Sequence, residues 1–418
     1  MERTKEVYRE AARTGMYDKV TGLIGKYDNV RRYWEDEITR IALRPYLEKV
    51  ISSKILDLER LRILDLGCGS GDGFELLCEV NAREPSLIDH EVNLITPEIL
   101  GVYRGVDISE ILLQQARELY GMNGKLKFDQ GDFSKGLPVS NGNPPYDIYF
   151  TSYGTLSHLK DDELVDLLTD IARHARDGSL LVCDWLGRYS YEWQELWQVE
   201  EESDYTMDYV VSYIYPEEDR AGKQLEHLTL RLMSTREVNS LCEKAARKAG
   251  LGIELELMLD RSVFVGRHMD TRDYNRYSQP LRTAVNSLFE TNVRTNLDTL
   301  IADYHPLDGF DEVNAFYERY QMSWNALVQY TIDLLYHYDS QFRDNELPEI
   351  PESYPQIVCE MMMYIKNIVE SCHWIKVGDT RANIIEPQLG YALRELEFKV
   401  QRGLGCGHGL VGIYKLRE

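Results

Sequence analysis

Four glycines at alternate positions, Gly67, Gly69, Gly71 and Gly73, follow Asp65 and an apolar run from Leu61 to Leu66. A run of that length reads as a buried strand, and Phe74 to Val80 reads as the helix after it. A chain that turns sharply from strand to helix needs residues free of Cβ where φ is positive or where a ligand comes close. Spacing excludes a dinucleotide fingerprint. Gly-x-Gly-x-x-Gly counted from Gly67 ends on Asp72, and counted from Gly69 it ends on Phe74. Gly101 to Asp107 reads as a second strand that ends in an acid, and a carboxylate there can accept hydrogen bonds from both ribose hydroxyls of a nucleoside. Asp89 is the rival for that role, but no strand leads into it. Two side chains further on are suited to take a proton. His158 is an imidazole that titrates near neutral pH, and Asp184 closes the fifth apolar run. The other reading of His158 is a histidine that caps or packs beneath the helix expected over 161–175.

Asp65, Gly67, Gly69 and Gly71 spell Asp-x-Gly-x-Gly-x-Gly, which resembles the first motif of class I S-adenosylmethionine (SAM) dependent methyltransferases. The likeness continues in the family's order over residues 61 to 259. It implies an α/β fold, a doubly wound mixed sheet of seven strands, with SAM as cofactor and S-adenosylhomocysteine as product. It further implies a cofactor site built from Asp65, Gly67, Cys68, Gly69 and Gly71 in the loop, with Asp107 and Ile108 at the ribose. Asp132 and Phe133 fall at the adenine, and Thr151 and Ser152 at the end of the fourth strand. The segment after that strand resembles the one that brings an aromatic or amide residue to the methyl donor in small-molecule methyltransferases, which adds Tyr153 to His158 and Asp184 as catalytic candidates. The reaction implied is in-line displacement of a methyl group onto an oxygen, nitrogen or carbon nucleophile of a small acceptor. A non-catalytic partner or regulatory protein of the same fold, or an enzyme using SAM for other chemistry, are the alternatives.

Asn143 to Tyr146 spells Asn-Pro-Pro-Tyr, a catalytic tetrapeptide in methyltransferases acting on amino groups. It precedes the apolar run 147–152, so it falls at the wrong end of the fourth strand, because ligands of open sheets lie beyond the carboxyl ends. The aromatic run after the fifth strand is the better place for an acceptor, since a pocket for an organic molecule wants apolar walls and a few polar groups. Trp185, Tyr189 and Trp193 are the expected wall. The cluster around Arg267 and His268 is expected either to meet the similar cluster at 378–383 over the acceptor or to join an internal ion-pair network.

Placing these residues takes a helical cap over 1–60, helical from Tyr17 to Lys54, and a core over 61–269 with a strand-rich excursion at about 189–233. A polar loop is expected over 81–99. A mostly helical insertion follows over 270–397, the expected roof of the acceptor pocket, with Trp324 and several tyrosines as candidates to face it. The chain returns over 398–418. Leu410 to Leu416 is the preferred seventh strand, with Ser262 to His268 as the alternative. Lysine and arginine total 47 against 70 acids, a net charge of −23, which argues against nucleic acid as substrate because phosphate binding needs clustered cations. No stretch is long and apolar enough for a membrane span, and no signal peptide is expected. Seven cysteines without a Cys-x-x-Cys pair fit a reducing cytoplasm. Cys406-x-His408 lies between glycines and reads as a turn rather than a metal site. A homodimer is left open.

Overall fold

The apolar runs of the first half stack as a parallel sheet. A computed structural model describes residues 26–82, 93–140, 142–198, 204–215, 220, 222, 225–339 and 346–417. The first 25 residues of the expected cap, and residues 83–92 of the expected polar loop with Asp89, lie outside the described residues. Strands β1 (Leu61–Leu66), β2 (Leu100–Asp107), β3 (Leu126–Gln130), β4 (Ile148–Phe150) and β5 (Leu180–Gly187) pair in parallel in the order β3-β2-β1-β4-β5. Beyond β5 the sheet forks. β9 (Gly409–Arg417) runs antiparallel along Leu180 to Leu186 and carries β8 (Gly252–Arg261) on its other side. The hairpin β6 (Thr206–Val210) and β7 (His227–Met233) joins β5 only at Leu186 and Gly187. The preferred seventh strand is thus the observed one, placed between β5 and β8 rather than at an open edge, and Ser262 to His268 forms turns.

Side chains alternate across a strand, and this parity divides the core. Leu181, Cys183 and Trp185 of β5 face one way, onto α4 (Asp161–His174) and α5 (Thr235–Ala249). Leu180, Val182 and Leu186 face the other, where α1 (Asp36–Leu56), α2 (Asp72–Cys78) and α3 (Glu110–Tyr120) contribute to the core. Ser234 and Glu237 form the expected capping box at the start of α5, each side chain bonded to the other's backbone N–H. Tyr146 is buried behind β4 and Arg62 donates to the carbonyls of Pro144 and Pro145, so the Asn-Pro-Pro-Tyr segment sits at the end away from the strand tips, as its order requires.

The expected insertion is helical. It holds α6 (Leu281–Leu288), α7 (Asp311–Tyr338), α8 (Gln356–Cys372) and α9 (Glu386–Val400). Its apolar faces merge with the core of α1. Trp34 packs on Trp324 and donates to Glu397 at 2.8 Å, and Trp324 donates to the Leu300 carbonyl. Among the described residues no helix is long and apolar enough to cross a membrane.

Charge ties this unit to the N-terminal segment. Arg282 of α6 is buried and grips both oxygens of Asp28, at 2.7 and 2.8 Å, while its third nitrogen donates to Glu35 at 2.7 Å. Arg267 reaches the same Glu35 at 3.5 Å, and Arg31 pairs with Asp36 at 2.8 Å. Of the two polar clusters, the one at 266–272 therefore belongs to an internal network. The one at 378–383 makes its own pairs, Arg294 with Asp379 and Arg381 with Glu386. Replacing Arg282 by Met leaves two buried carboxylates short of their partner, and a loss of about 3–5 kcal/mol is expected. Arg294→Ala, which breaks an exposed pair, is expected to cost less than about 1 kcal/mol. Urea denaturation of the two variants checks the contrast.

Candidate active site

A cavity of about 560 Å3 opens over the carboxyl ends of the five parallel strands. Gly67, Cys68 and Gly69 line it after β1, Asp107 and Ile108 at the end of β2, Asp132 and Phe133 after β3, and Ser152 after β4. These predicted residues come together. Gly69 has φ of +52° and open space where a Cβ would stand, while a Cβ on Gly67 would meet Thr155 at 2.4 Å. Asp107 accepts the N–H of Gly69 at 2.9 Å and of Ser109 at 2.8 Å, so it braces the loop and keeps lone pairs for a ligand. Burial pushes its carboxyl above the usual range against those bonds. Asp132 is held below that range by Ser134 and Lys135, which overcome its partial burial.

Three predicted cofactor residues stand behind the surface instead. Gly71 abuts Tyr120, and Thr151 bonds across to the β5 backbone at Val182 and Asp184. Asp65 is fully buried beneath the loop, takes a hydrogen bond from the Tyr103 hydroxyl, and is packed so tightly that Gly73 has no room for a Cβ. Burial pushes its carboxyl up to about 7.

The catalytic candidates fare unequally. His158 lines the cavity, and burial pushes its imidazole down to about 4, which makes it a weak base. Asp184 lines it too, yet its oxygens are taken by the N–H groups of Tyr153 (2.8 Å) and Gly154 (3.0 Å) and by Arg261 (2.9 Å). It holds a turn in which Tyr153 and Gly154 both have positive φ, +56° and +72°, so the base assignment moves off it. Tyr153 lines the cavity with its hydroxyl on Asp36 at 3.0 Å and the Arg31 guanidinium 3.1 Å above its ring. Burial and the neighbouring acids hold its phenol well above the usual range, so it stays protonated.

The expected acceptor wall is corrected. Trp185 points from the opposite face of β5, as strand parity demands, and packs with the α4 and α5 core. Trp193 is buried with its indole on the Gly187 carbonyl at 2.9 Å, and Tyr189 packs edge-on against Trp197 and Phe310. These aromatics anchor a loop. His268 is fully buried inside a ring of Tyr209, Tyr213 and Tyr274; of its pair, Arg267 reaches the cavity. Among the described residues, none of 270–397 lines the cavity, so the described part of the helical segment is a buttress and not a roof.

Sequence reasoning missed the wall that is present. Tyr209, Val211 and Tyr213 of the first hairpin arm and its extension face Leu228 and Leu230 of the second, and Lys26, Arg31, Glu35, Arg261 and His408 complete the far end. Tyr17 to Lys54 reads as helical with no role assigned to its charges, while in the fold Glu35 is buried and held well below the carboxylate range. Burial opposes that ionisation, and Arg282, Arg267, Arg31 and Arg261 outweigh it.

Residues 98–178, from just before β2 to the turn before β5, match a family described as a methyltransferase domain. That stretch is similar to methyltransferase domains. Similar solved structures include a SAM-dependent methyltransferase from Mesorhizobium loti, 16% identical over 48% of this chain and 76% of that one with a TM-score of 0.29. Another is from Clostridium acetobutylicum, 18% identical over 60% and 90% with a TM-score of 0.32. A third is the SAM-bound amino pentose methyltransferase CalS10 of Micromonospora echinaspora, 14% identical over 54% and 86% with a TM-score of 0.29. No curated protein matches the sequence. The open space at Gly69 with Asp107 beside it fits a nucleoside there.

Asp65 supplies a test of what lies beneath the loop. A carboxyl raised to about 7 in the fold and titrating near 3.9 when unfolded keeps its proton longer in the native state. Its contribution therefore falls as pH rises from about 4 to about 7, by at most about 1.4 kcal/mol per pH unit. Asp65→Asn is expected to flatten that decline and to fold at least as stably at neutral pH, as read by urea midpoints between pH 5 and 8.

Proposed function

We propose that this protein is a SAM-dependent methyltransferase that modifies a small organic acceptor seated between the cofactor loop and the β6–β7 hairpin. The observation that supports this is continuity. One cavity runs from Gly67 and Gly69 to the apolar wall of Tyr209, Val211, Leu228 and Leu230, and its volume of about 560 Å3 lies in the range of small-ligand sites.

In this reading Asp107 accepts from the ribose hydroxyls, Asp132 and Phe133 meet the adenine, and Gly67, Cys68, Gly69, Ile108 and Ser152 shape the remaining wall. Asp65, Gly71 and Thr151 act from behind by fixing that wall. SAM, when bound, supplies a methyl group on a sulfonium whose departure leaves a neutral thioether. The protein's own task is then alignment of the acceptor, an effect worth about 7–11 kcal/mol when two reactants are well oriented. Arg31 stacked on Tyr153 and Arg261 paired with Asp184 keep the strand tips rigid for it. The seven cysteines are free thiols, which supports work in the reducing cytoplasm.

Incubation with methyl-labelled SAM and a cell extract filtered free of macromolecules tests the acceptor class. Label in a low-mass product is expected. Label that enters only the retained macromolecules when they are restored overturns the reading. Asp107→Ala is expected to weaken S-adenosylhomocysteine by about 1.5–3 kcal/mol, the worth of hydrogen bonds to a charged group. Because Asp107 also braces Gly69, Asp107→Asn serves beside it, and unchanged calorimetric affinity in both folded variants removes Asp107 from the site.

A further inference from the structure

Residues 403–409 repeat the device of the first loop. Gly403, Gly405, Gly407 and Gly409 alternate with Leu404, Cys406 and His408. Gly403 and Gly405 have φ of +58° and +98°, and a Cβ on Gly407 would stand 2.4 Å from the Arg261 carbonyl oxygen. One buried carboxylate organises the turn. Asp260 accepts the N–H groups of Leu404 at 2.7 Å, Gly405 at 2.8 Å, Cys406 at 2.8 Å and Gly407 at 3.3 Å. The side chain that this turn presents to the cavity is His408.

Behind His408 stands Glu192, fully buried. Its carboxylate lies 2.7 Å from Nδ1 of His408 and accepts the Ser190 hydroxyl at 3.1 Å and the backbone N–H of His268. Burial works against its ionisation, and His408 and His268 outweigh burial to hold the carboxyl below its usual range. An ionised carboxylate only accepts, so Nδ1 of His408 carries the hydrogen, and in the neutral ring Nε2 then keeps its lone pair. Charged and titratable groups facing this pair are His268, which pairs with Asp273, the phenols of Tyr209 and Tyr274, and Arg261 beside Gly409.

We propose that His408, oriented by Glu192, takes up the proton released by the acceptor, and that the acceptor is therefore a hydroxyl or N–H compound on an apolar frame. The proposal rests on the reading that the cavity holds both reactants. The acceptor's lone pair forms the new bond to the methyl carbon, and the carbon–sulfur bond breaks with its electrons left on sulfur. The acceptor's O–H or N–H bond then gives its proton to Nε2, and the imidazolium is neutralised by Glu192. The other candidates fit this role less well: His158 is too weak a base, Asp184 is fully bonded, and Tyr153 stays protonated. An acceptor with no proton to lose, such as a thioether or tertiary amine, has no use for such a pair.

The test uses the full chain labelled with 15N in its histidines. His408 is expected to show the Nδ1–H tautomer, and its Nε2 signal is expected to move on adding a SAM analogue that bears an amine in place of the methyl. Calorimetry with S-adenosylhomocysteine runs in parallel. If neither compound binds, the cavity reading falls and the proposal with it; if both bind and the His408 signal stays still, the proposal alone falls. With the low-mass acceptor fraction, His408→Asn is expected to slow transfer by about 100- to 10,000-fold at unchanged S-adenosylhomocysteine affinity. Glu192→Gln, which acts through positioning, is expected to lower kcat at unchanged KM and to weaken the Nδ1–H tautomer signal of His408. Transfer at the wild-type rate by a folded His408→Asn protein overturns the proposal.

Discussion

Glu35 is a carboxylate taken out of water, and the arrangement of the molecule follows from how that is made tolerable. Arg282, Arg267, Arg31 and Arg261 come from the helical segment, the turn after β8, the N-terminal segment and β8, and together they hold the charge. A buried ion is costly unless its partners are close and well oriented. The four elements are therefore fixed against one another by the requirement to surround one group. Two of those arginines, Arg31 and Arg261, also stack on or flank Tyr153 at the cavity, so the position of the helical segment is transmitted to the strand tips through rigid guanidinium groups.

Much of the parallel sheet was legible because each strand ends in chemistry that its position requires. Asp107 follows the largely apolar β2, and Asp132 follows β3, where Leu126 and Phe128 alternate with polar residues. Legibility stopped where the signal was composition alone. Trp185, Tyr189 and Trp193 looked like a wall because aromatics cluster there, yet one residue of offset along β5 sends Trp185 to the opposite face from Asp184. The charges of Arg31, Glu35 and Asp36 have the spacing of a solvated helix, and only tertiary contact with Arg282 and Arg267 turns them inward. Residues 403–409 carry the same alternation of glycine as 67–73, and the glycines flanking Cys406 and His408 favour a turn over a metal site, which leaves the role of His408 unread.

The two glycine loops solve one geometric problem twice. Each lets backbone approach closely where a side chain would collide, Gly67 against Thr155 and Gly407 against the Arg261 backbone. A carboxylate then satisfies loop donors, Asp107 the N–H of Gly69 in the first loop and Asp260 four N–H groups in the second. Unpaired backbone donors near a cavity would cost about as much as a lost hydrogen bond each. Buried carboxylates supply that pairing at fixed positions, so both loops are set before any ligand arrives.

The hairpin is the part of the cavity least bound to this frame. β7 shares only Leu186 and Gly187 with β5, whereas β9 pairs along the whole of Leu180 to Leu186. Side chains on the hairpin's cavity face, Tyr209, Leu228 and Leu230, line the cavity, and the hairpin pairs with none of β1 to β4. Substitutions more than about 7–10 Å apart with no shared partner add independently. The apolar wall can thus change its shape with little effect on the loop that carries Gly67 and Gly69. Fold and cofactor site do not fix an acceptor, and here the physical reason is visible: the residues that would choose it stand on an element the sheet barely holds.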